Sequence, residues 1–439
     1  MSKKCVVVIG GGAAGMMAAG RAAELGAQVL LLEKMRRPGS KILVSGNSRC
    51  NLSNTRGIGE FISMFGENGP FLYSAFRSFF RDDLLKLLGS YGVKTTREAD
   101  GRIFPASNRA ADVVQALQRY MEEYGVEVIT GSGVTEITAV NGCVEAVHTP
   151  GKVYPAAAVV LATGGASYPQ TGSTGDGYSM AARLGHKIVK IRPALVPLTL
   201  HEKAAVKSLQ GISLKGVRLT SFACAAKEIN PDKAPSRDTG RGIPGRAARA
   251  PVIESRCGDI IFTGSGISGP AVLLMSLAVV DATEHGPVSI SIDLMPGQDA
   301  RQLQAALQEE FTRHGRRQIG NLIRQFVPER MAGPLLKMAP IMPEKTASQV
   351  SAAERNAIAG QLKSLKFNVA GAHPLAGAMV TAGGIGLQEI DPRTMQSRLV
   401  KGLYFCGEVM DIDADTGGYN LQAAFSTGRL AGESAAASI

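Results

Sequence analysis

Residues 402–428 read GLYFCGEVMDIDADTGGYNLQAAFSTG: a short apolar strand, a glycine-acid turn, a run of spaced acids, a glycine pair and the start of a helix. At the opposite end of the chain, Cys5–Gly15 reads CVVVIGGGAAG. Cys5 to Gly10 is an unbroken strand-like run, Ala13 to Leu25 is a small-residue helix, and Gln28 to Glu33 is a second apolar strand ending in an acid. A G-x-G-x-x-G sequence between strand and helix inside a βαβ unit is a dinucleotide fingerprint. Gly10 permits the tight turn, Gly12 lets the backbone approach a diphosphate, and Gly15 lets the helix pack on the strand. The helix N-terminus at Ala13 and Ala14 offers N–H groups to that diphosphate. Glu33, followed by Lys34, is placed to accept the hydroxyls of an adenosine ribose.

The fingerprint alone does not separate NAD from FAD, since both contain adenosine. Ala162, Thr163 and Gly164 end an apolar strand in a backbone-exposing turn expected on the adenine side. Gly407 and Glu408 end the strand expected beside the diphosphate and ribityl chain. Gly418, Tyr419, Asn420 and Leu421 open a helix whose N–H groups can face a flavin pyrimidine oxygen and stabilise negative charge on the reduced ring. Two such signatures at opposite ends predict one FAD domain closed by both termini.

The loop after Glu33 concentrates further chemistry. Lys41, Ser45, Gly46 and Asn51 are read as cofactor contacts, and Arg49 and Cys50 as catalytic candidates. Arg49 could neutralise a flavin or enolate charge. Cys50 could donate a proton, because a thiol with a pKa of about 8.5 stays mostly protonated at neutral pH. The alternative is that Cys50 fills space and Arg49 holds the loop. Asp411, Asp413 and Asp415 lack EF-hand spacing and a closing Glu, which favours a hydrogen-bonded turn over a cation loop.

With 439 residues the chain can form two or three domains. Its six cysteines show neither CxxC pairing nor zinc-type spacing with His, so neither a disulfide framework nor a metal site is expected. The longest apolar run, Ala271–Val280, is about half of a bilayer span. No targeting signal is read, and a cytoplasmic location with no membrane partner is expected. The 48 basic against 37 acidic residues, net +11, fit either a polyanionic partner or ordinary solubility.

Asn108 precedes an amphipathic helix with Val113, Val114, Leu117 and Met121 on one face, stopped by Gly125. From Leu195 short strand-like segments take over: Leu195–Leu200, Leu214–Leu219, Asp259–Phe262 and Val288–Leu294. Lys227–Arg256 reads as a long exposed basic loop carrying Lys233, Arg237, Arg241, Arg246, Arg249 and Arg256. Asp299 caps a helix with Leu303, Ala306, Leu307 and Phe311 on one face. Arg313, Arg316, Arg317 and Arg324 lie in or near the helical stretch that follows. After Phe367 the glycine-rich pattern returns.

Long motifs carry a family resemblance across essentially the whole chain. They are SKILVSGNSRCNLSN (Ser40–Asn54), GRIFPAS (Gly101–Ser107), ATGGASYPQTGSTGDGY (Ala162–Tyr178), FTGSGISGP (Phe262–Pro270), VTAGGIGLQEIDPRTMQS (Val380–Ser397) and GEVMDIDADTGGYNLQ. In these the chain resembles the HI0933-like flavoproteins, also called BaiN-type or aminoacetone-oxidase-type FAD enzymes. The resemblance implies an α/β fold: a Rossmann-like FAD-binding domain built from both termini, with an inserted β-barrel carrying a helical subdomain. The boundaries expected are 1–194 and 368–439 for the FAD domain, 195–297 and 345–367 for the barrel, and 298–344 for the helical subdomain. Two departures stand out. Asn47 and Ser48 replace family glycines, and Gly264 stands where the family usually has a His, so no role of that His is carried over.

The resemblance further implies reduction by NAD(P)H through FAD. Its implied substrates are a uridine of 23S ribosomal RNA reduced to dihydrouridine, a steroid-like bile-acid enone, or aminoacetone. The basic insertion points to ribosomal RNA first, with a small molecule as the alternative. A non-enzymatic flavin-binding scaffold for RNA is the reading from another class, and the complete flavin site argues against it.

Overall fold

The computed structural model describes residues 5–229 and 252–439. These divide into two compact units, 5–194 with 375–439 and 195–374. Lys233, Arg237, Arg241, Arg246 and Arg249 lie outside the described residues.

The first unit is built on a five-stranded parallel sheet in the order Leu403–Phe405, Ala158–Leu161, Cys5–Ile9, Gln28–Glu33, Glu127–Thr130. Both neighbours of the first strand are parallel to it, with Val7 opposite Val159 on one side and Leu30 on the other. A parallel strand covered on both faces has no solvent side, which is why these runs are continuously apolar rather than alternating. Val6, Val7 and Val8 are completely buried.

Two helices cross tightly in this unit. Ala13–Glu24 follows the fingerprint, and Tyr419–Ala437 closes the chain. Their contact uses small residues one helical turn apart. A Cβ added to Gly428 would lie 2.9 Å from Ala14 C and Cα, and one added to Gly432 would lie 2.9 Å from Ala18 C and Cα, nearer still to each carbonyl oxygen. The two helix backbones therefore meet with no side chain between them. The Ala110–Glu123 helix, with Val113, Val114, Leu117 and Met121 buried, follows the face read from sequence.

A buried polar anchor ties the 387–400 segment to this unit. His186 Nδ1 lies 3.0 Å from Glu389 Oε2 and Nε2 lies 2.9 Å from Ser397 Oγ, while its ring meets Phe405 edge-on. Ser397 Oγ also accepts the N–H groups of Leu399 and Val400. With both acceptor positions of that hydroxyl used, its proton is left for Nε2, which sets the neutral imidazole carrying its proton on Nδ1. Burial lowers the His186 pKa, with Glu389 opposing.

The second unit is a closed six-stranded barrel ordered Leu198–Leu200, Gly266–Ser268, Val252–Phe262, Ser213–Phe222, Ser289–Asp293, Leu365–Ala372. Helices Ala300–Arg313, Glu329–Met338 and Ala352–Lys363 belong to the same unit. Asp299 caps the first by accepting from Gln302 N–H at 2.8 Å.

Three sequence expectations change here. The strand ending at Phe262 begins at Val252, so Arg256 is a strand residue ion-paired to the buried Glu254 and not part of a loop. Residues 226–228 form a short 3-10 turn, which shortens the expected loop at its other end. The last barrel strand runs to Ala372, past Phe367. Its small residues Ala370, Gly371 and Ala372 resemble the first unit's pattern, but pairing with Leu198–Leu200 keeps them in the barrel.

Candidate functional site

The fingerprint turn has the geometry that its glycines predict. Gly10 has φ +102°, and a Cβ there would lie 3.0 Å from Ala162 C and 3.1 Å from Thr163 Cα. A Cβ on Gly15 would lie 3.0 Å from Gly10 C, so Gly15 seats the helix on the turn. Apart from Gly12's own chain neighbours, among the described residues nothing lies within 4 Å of a Cβ added there. Open space over a backbone at a helix N-terminus is a cradle for an anionic group. Glu33 Oε2 accepts Gly11 N–H and Oε1 accepts Met35 N–H, both at 2.7 Å. The carboxylate is thereby fixed, and each oxygen keeps acceptor capacity for a hydroxyl.

Lys34 is tied to the turn after the Ala162–Gly164 segment, reaching Thr174 Oγ1 and Asp176 Oδ2. Burial of the Asp176 carboxyl opposes its ionisation, but the Lys34 and Thr174 hydrogen bonds prevail and hold its pKa below the ordinary value. Gly164 has φ +73° and faces Ser173. Gly407 packs against Ala14, with Cβ-to-Cβ spacing 2.9 Å if a methyl were added, bringing the end of the edge strand to the first turn of the fingerprint helix. Lys41 Nζ reaches Glu408 Oε2 at 2.6 Å and Ser167 Oγ at 2.9 Å.

The closing helix is held from the other side. With its amide turned to satisfy both ends, Asn51 donates to Ser53 O at 3.1 Å and accepts from Gly418 N–H at 3.0 Å. Gly418 caps the helix with φ +94°. Tyr419, Asn420 and Leu421 supply first-turn N–H groups with no acceptor within the helix. The Asn420 side chain is turned away from this work: it accepts Ala414 N–H and donates to Ala414 O, both at 2.9 Å, closing the acid turn. Asp413 and Asp415 in that turn are buried, and burial raises the Asp411 pKa. Among the described residues no acidic, His or Cys group suits a metal ion.

Among the described residues two buried hydroxyls near these elements, Ser53 Oγ and Thr163 Oγ1, have no hydrogen-bond partner. Buried polar atoms are rarely left so. The open cradle, the two helix N-termini and these hydroxyls fit a dinucleotide with a polar ring.

Arg49 and Cys50 are placed differently from the rest. Arg49 donates to Asn108 Oδ1 at 2.8 Å and Glu98 Oε1 at 2.7 Å, and stacks 4.0 Å over Phe104. Cys50 is completely buried, and burial pushes its thiol up to about 12. Ser45 Oγ donates to Ile42 O, ending a short helix. The loop turns left-handed at Gly46, Asn47, Ser48 and Cys50, with φ of 54°, 59°, 66° and 62°. The two residues that replace family glycines thus occupy conformations that glycine adopts without cost.

The family model described as HI0933-like protein Rossmann domain matches residues 4–434. The chain belongs to this family. It is an FAD-dependent oxidoreductase. Over 98% of its length it is 30% identical to a 3-dehydro-bile acid delta(4,6)-reductase of Clostridium scindens, covering 98% of that protein. Over 97% it is 31% identical to a ribosomal RNA dihydrouridine synthase of Escherichia coli, covering 96% of it. Among solved structures, a 3-ketosteroid delta1-dehydrogenase from Sterolibacterium denitrificans aligns over 99% of both chains at 14% identity with a TM-score of 0.50, which shows the fold alone. Among the described residues no helix is long and apolar enough to cross a membrane.

Ser167 and Thr381 were missed by sequence reasoning. Both lie inside quoted motifs, but no spacing rule joins residues more than two hundred positions apart.

Proposed function

We propose that this protein takes electrons from NAD(P)H and reduces a carbon–carbon double bond conjugated to a carbonyl, with uridine in 23S ribosomal RNA as the substrate. The supporting observation is that two relatives, each aligned over nearly its whole length, bear names that describe reduction of a conjugated double bond. Bound FAD supplies hydride transfer. The chain's own residues bind and orient it. The Gly10–Gly15 turn and the Ala13 helix N-terminus hold the diphosphate, Glu33 accepts ribose hydroxyls, and Thr163 receives the adenine side. The N–H groups of Tyr419, Asn420 and Leu421 stabilise negative charge at the ring.

Cys50 acts in this reading by filling the core and Arg49 by tying the loop to Glu98, Asn108 and Phe104. A completely buried thiol at about 12 gives up its proton poorly near neutrality.

RNA is favoured by the exposed turn bearing Arg316 and Arg317. Arg313 and Arg324 are diluted by pairing with Glu309 and Glu329. The test is deletion of the gene and mapping of dihydrouridine in ribosomal RNA; unchanged dihydrouridine would reject RNA as substrate. The bile-acid reductase relative supports a second reading, a small steroid-like enone, and the same family includes aminoacetone-oxidase-type enzymes. A flavin-binding scaffold without activity is excluded if purified protein oxidises NAD(P)H. A cytoplasmic location belongs to this proposal.

A further inference from the structure

Four side chains from separate stretches form one closed network beside the fingerprint helix. Glu408 Oε1 accepts Thr381 N–H at 2.8 Å and Ser167 Oγ–H at 3.3 Å, and Oε2 accepts from Lys41 at 2.6 Å. Thr381 Oγ1 accepts the N–H groups of Ala166 at 2.9 Å and Ser167 at 3.1 Å, fixing the segment that carries the Ser167 hydroxyl. Lys41 Nζ donates to that same hydroxyl at 2.9 Å. The network is packed as well as bonded, because a Cβ on Gly165 would lie 2.7 Å from Thr381 Cβ and 3.1 Å from Glu408 Cδ.

An ammonium has three N–H donors. Two from Lys41 go to Glu408 and Ser167, and among the described residues nothing accepts the third. The Lys41 side chain is 26% exposed and that of Glu408 20%, so the pair is neither fully solvated nor sealed in the core. Because the ion pair is neutral as a unit, it contributes direction more than net field. Gly407, next to Glu408, touches Ala14 in the fingerprint helix, which places this directed donor beside the diphosphate cradle.

We propose that Ser167 and Thr381 are positioning residues for Lys41: they lock Glu408 so that the third Lys41 N–H is offered to an anionic oxygen of bound FAD. This rests on the FAD reading above. The oxygen belongs either to the diphosphate or to the reduced ring, and the two sources separate by measurement.

The experiment titrates FAD into apo-protein and measures the flavin midpoint potential for wild type, Lys41→Met, Thr381→Val, Thr381→Ser, Ser167→Ala and the Lys41→Met/Thr381→Val double variant. If the oxygen is a phosphate, Lys41→Met and Thr381→Val each weaken oxidised FAD by ten-fold or more, since bonds to charged groups are the strong ones. If it lies on the reduced ring, oxidised affinity stays within about two-fold. The same ten-fold loss then appears as a potential lower by about 30 mV for the two-electron couple. In both cases Thr381→Ser restores wild-type behaviour, and Thr381→Val adds nothing in the Lys41→Met background. Ser167→Ala follows Thr381→Val and supplies the same reading if the valine variant fails to fold. The proposal is overturned if Thr381→Val and Ser167→Ala change neither affinity nor potential, or if the Thr381→Val effect persists without Lys41. Wild-type protein that fails to bind FAD would instead overturn the cofactor reading.

Discussion

Gly432→Ala tests whether the backbone-to-backbone crossing of the fingerprint and closing helices sets the stability of the cofactor unit. In an exposed helix the substitution stabilises by about 0.5–1 kcal/mol, because glycine loses more freedom on folding. At Gly432 the new methyl would lie 2.9 Å from Ala18 C and Cα and nearer to its carbonyl oxygen, where ordinary van der Waals contact begins at 3.4 Å. No rotamer change relieves this, because the opposing atoms are main chain. The helices must separate by half an ångström or more, and such overpacking costs about 1–3 kcal/mol. The net expectation is a loss of about 1–2 kcal/mol. The control is Gly89→Ala in the Arg81–Ser90 helix of the same unit, where nothing lies within 4 Å and a gain of up to about 1 kcal/mol is expected. Guanidinium unfolding followed by flavin release reads this unit directly. FAD affinity should also fall several-fold in Gly432→Ala, since both helix N-termini face the cofactor cradle. A Gly432→Ala protein as stable as Gly89→Ala would refute the reasoning.

Four further outcomes follow. The folded-state pKa of His186 is depressed, so the stability it contributes is present above its unfolded pKa of about 6.5 and lost as pH falls through the folded value. Stability measured by thermal unfolding should therefore fall between neutrality and about pH 5 more steeply in wild type than in His186→Gln. Cys50→Ala should retain FAD, NAD(P)H-driven flavin reduction and substrate turnover per bound flavin; slowed substrate reduction alone would restore the thiol as proton donor. Ser48→Gly relieves a left-handed residue and should raise stability by up to about 1 kcal/mol with FAD affinity unchanged, measured by chemical denaturation. If RNA is the substrate, Arg316→Ala/Arg317→Ala should flatten the salt dependence of RNA binding by about two charges; an unchanged slope would remove that turn from the RNA surface.

The parallel sheet was legible because buried parallel strands are continuously apolar and because Gly10, Gly12 and Gly15 each have a separate geometric duty. The barrel was less so. Only Asp259–Phe262 of the Val252–Phe262 strand is read as a strand, since Glu254 and Arg256 interrupt the apolar pattern before it; the pairing of Arg256 with Glu254 is a three-dimensional fact. Contacts such as His186 with Ser397 and Thr381 with Ser167 leave no local period at all. The burial of Cys50 was equally hidden. In the same loop Lys41 bonds to Glu408 and Asn51 to Gly418, but burial of Cys50 between them depends on which way a left-handed turn aims it.

The split of the cofactor unit has a consequence for biosynthesis. The barrel unit is one continuous segment, 195–374, whereas the sheet of the first unit takes its edge strand from Leu403–Phe405 and its closing helix from Tyr419–Ala437. During translation every barrel strand is made before residue 375, while the earlier four strands of the sheet wait with an open edge. The cradle's last strand and helix are therefore synthesised only after the barrel is complete. A chain arrested between 375 and 402 has its fingerprint and its barrel, yet lacks the strand and helix that complete the cradle.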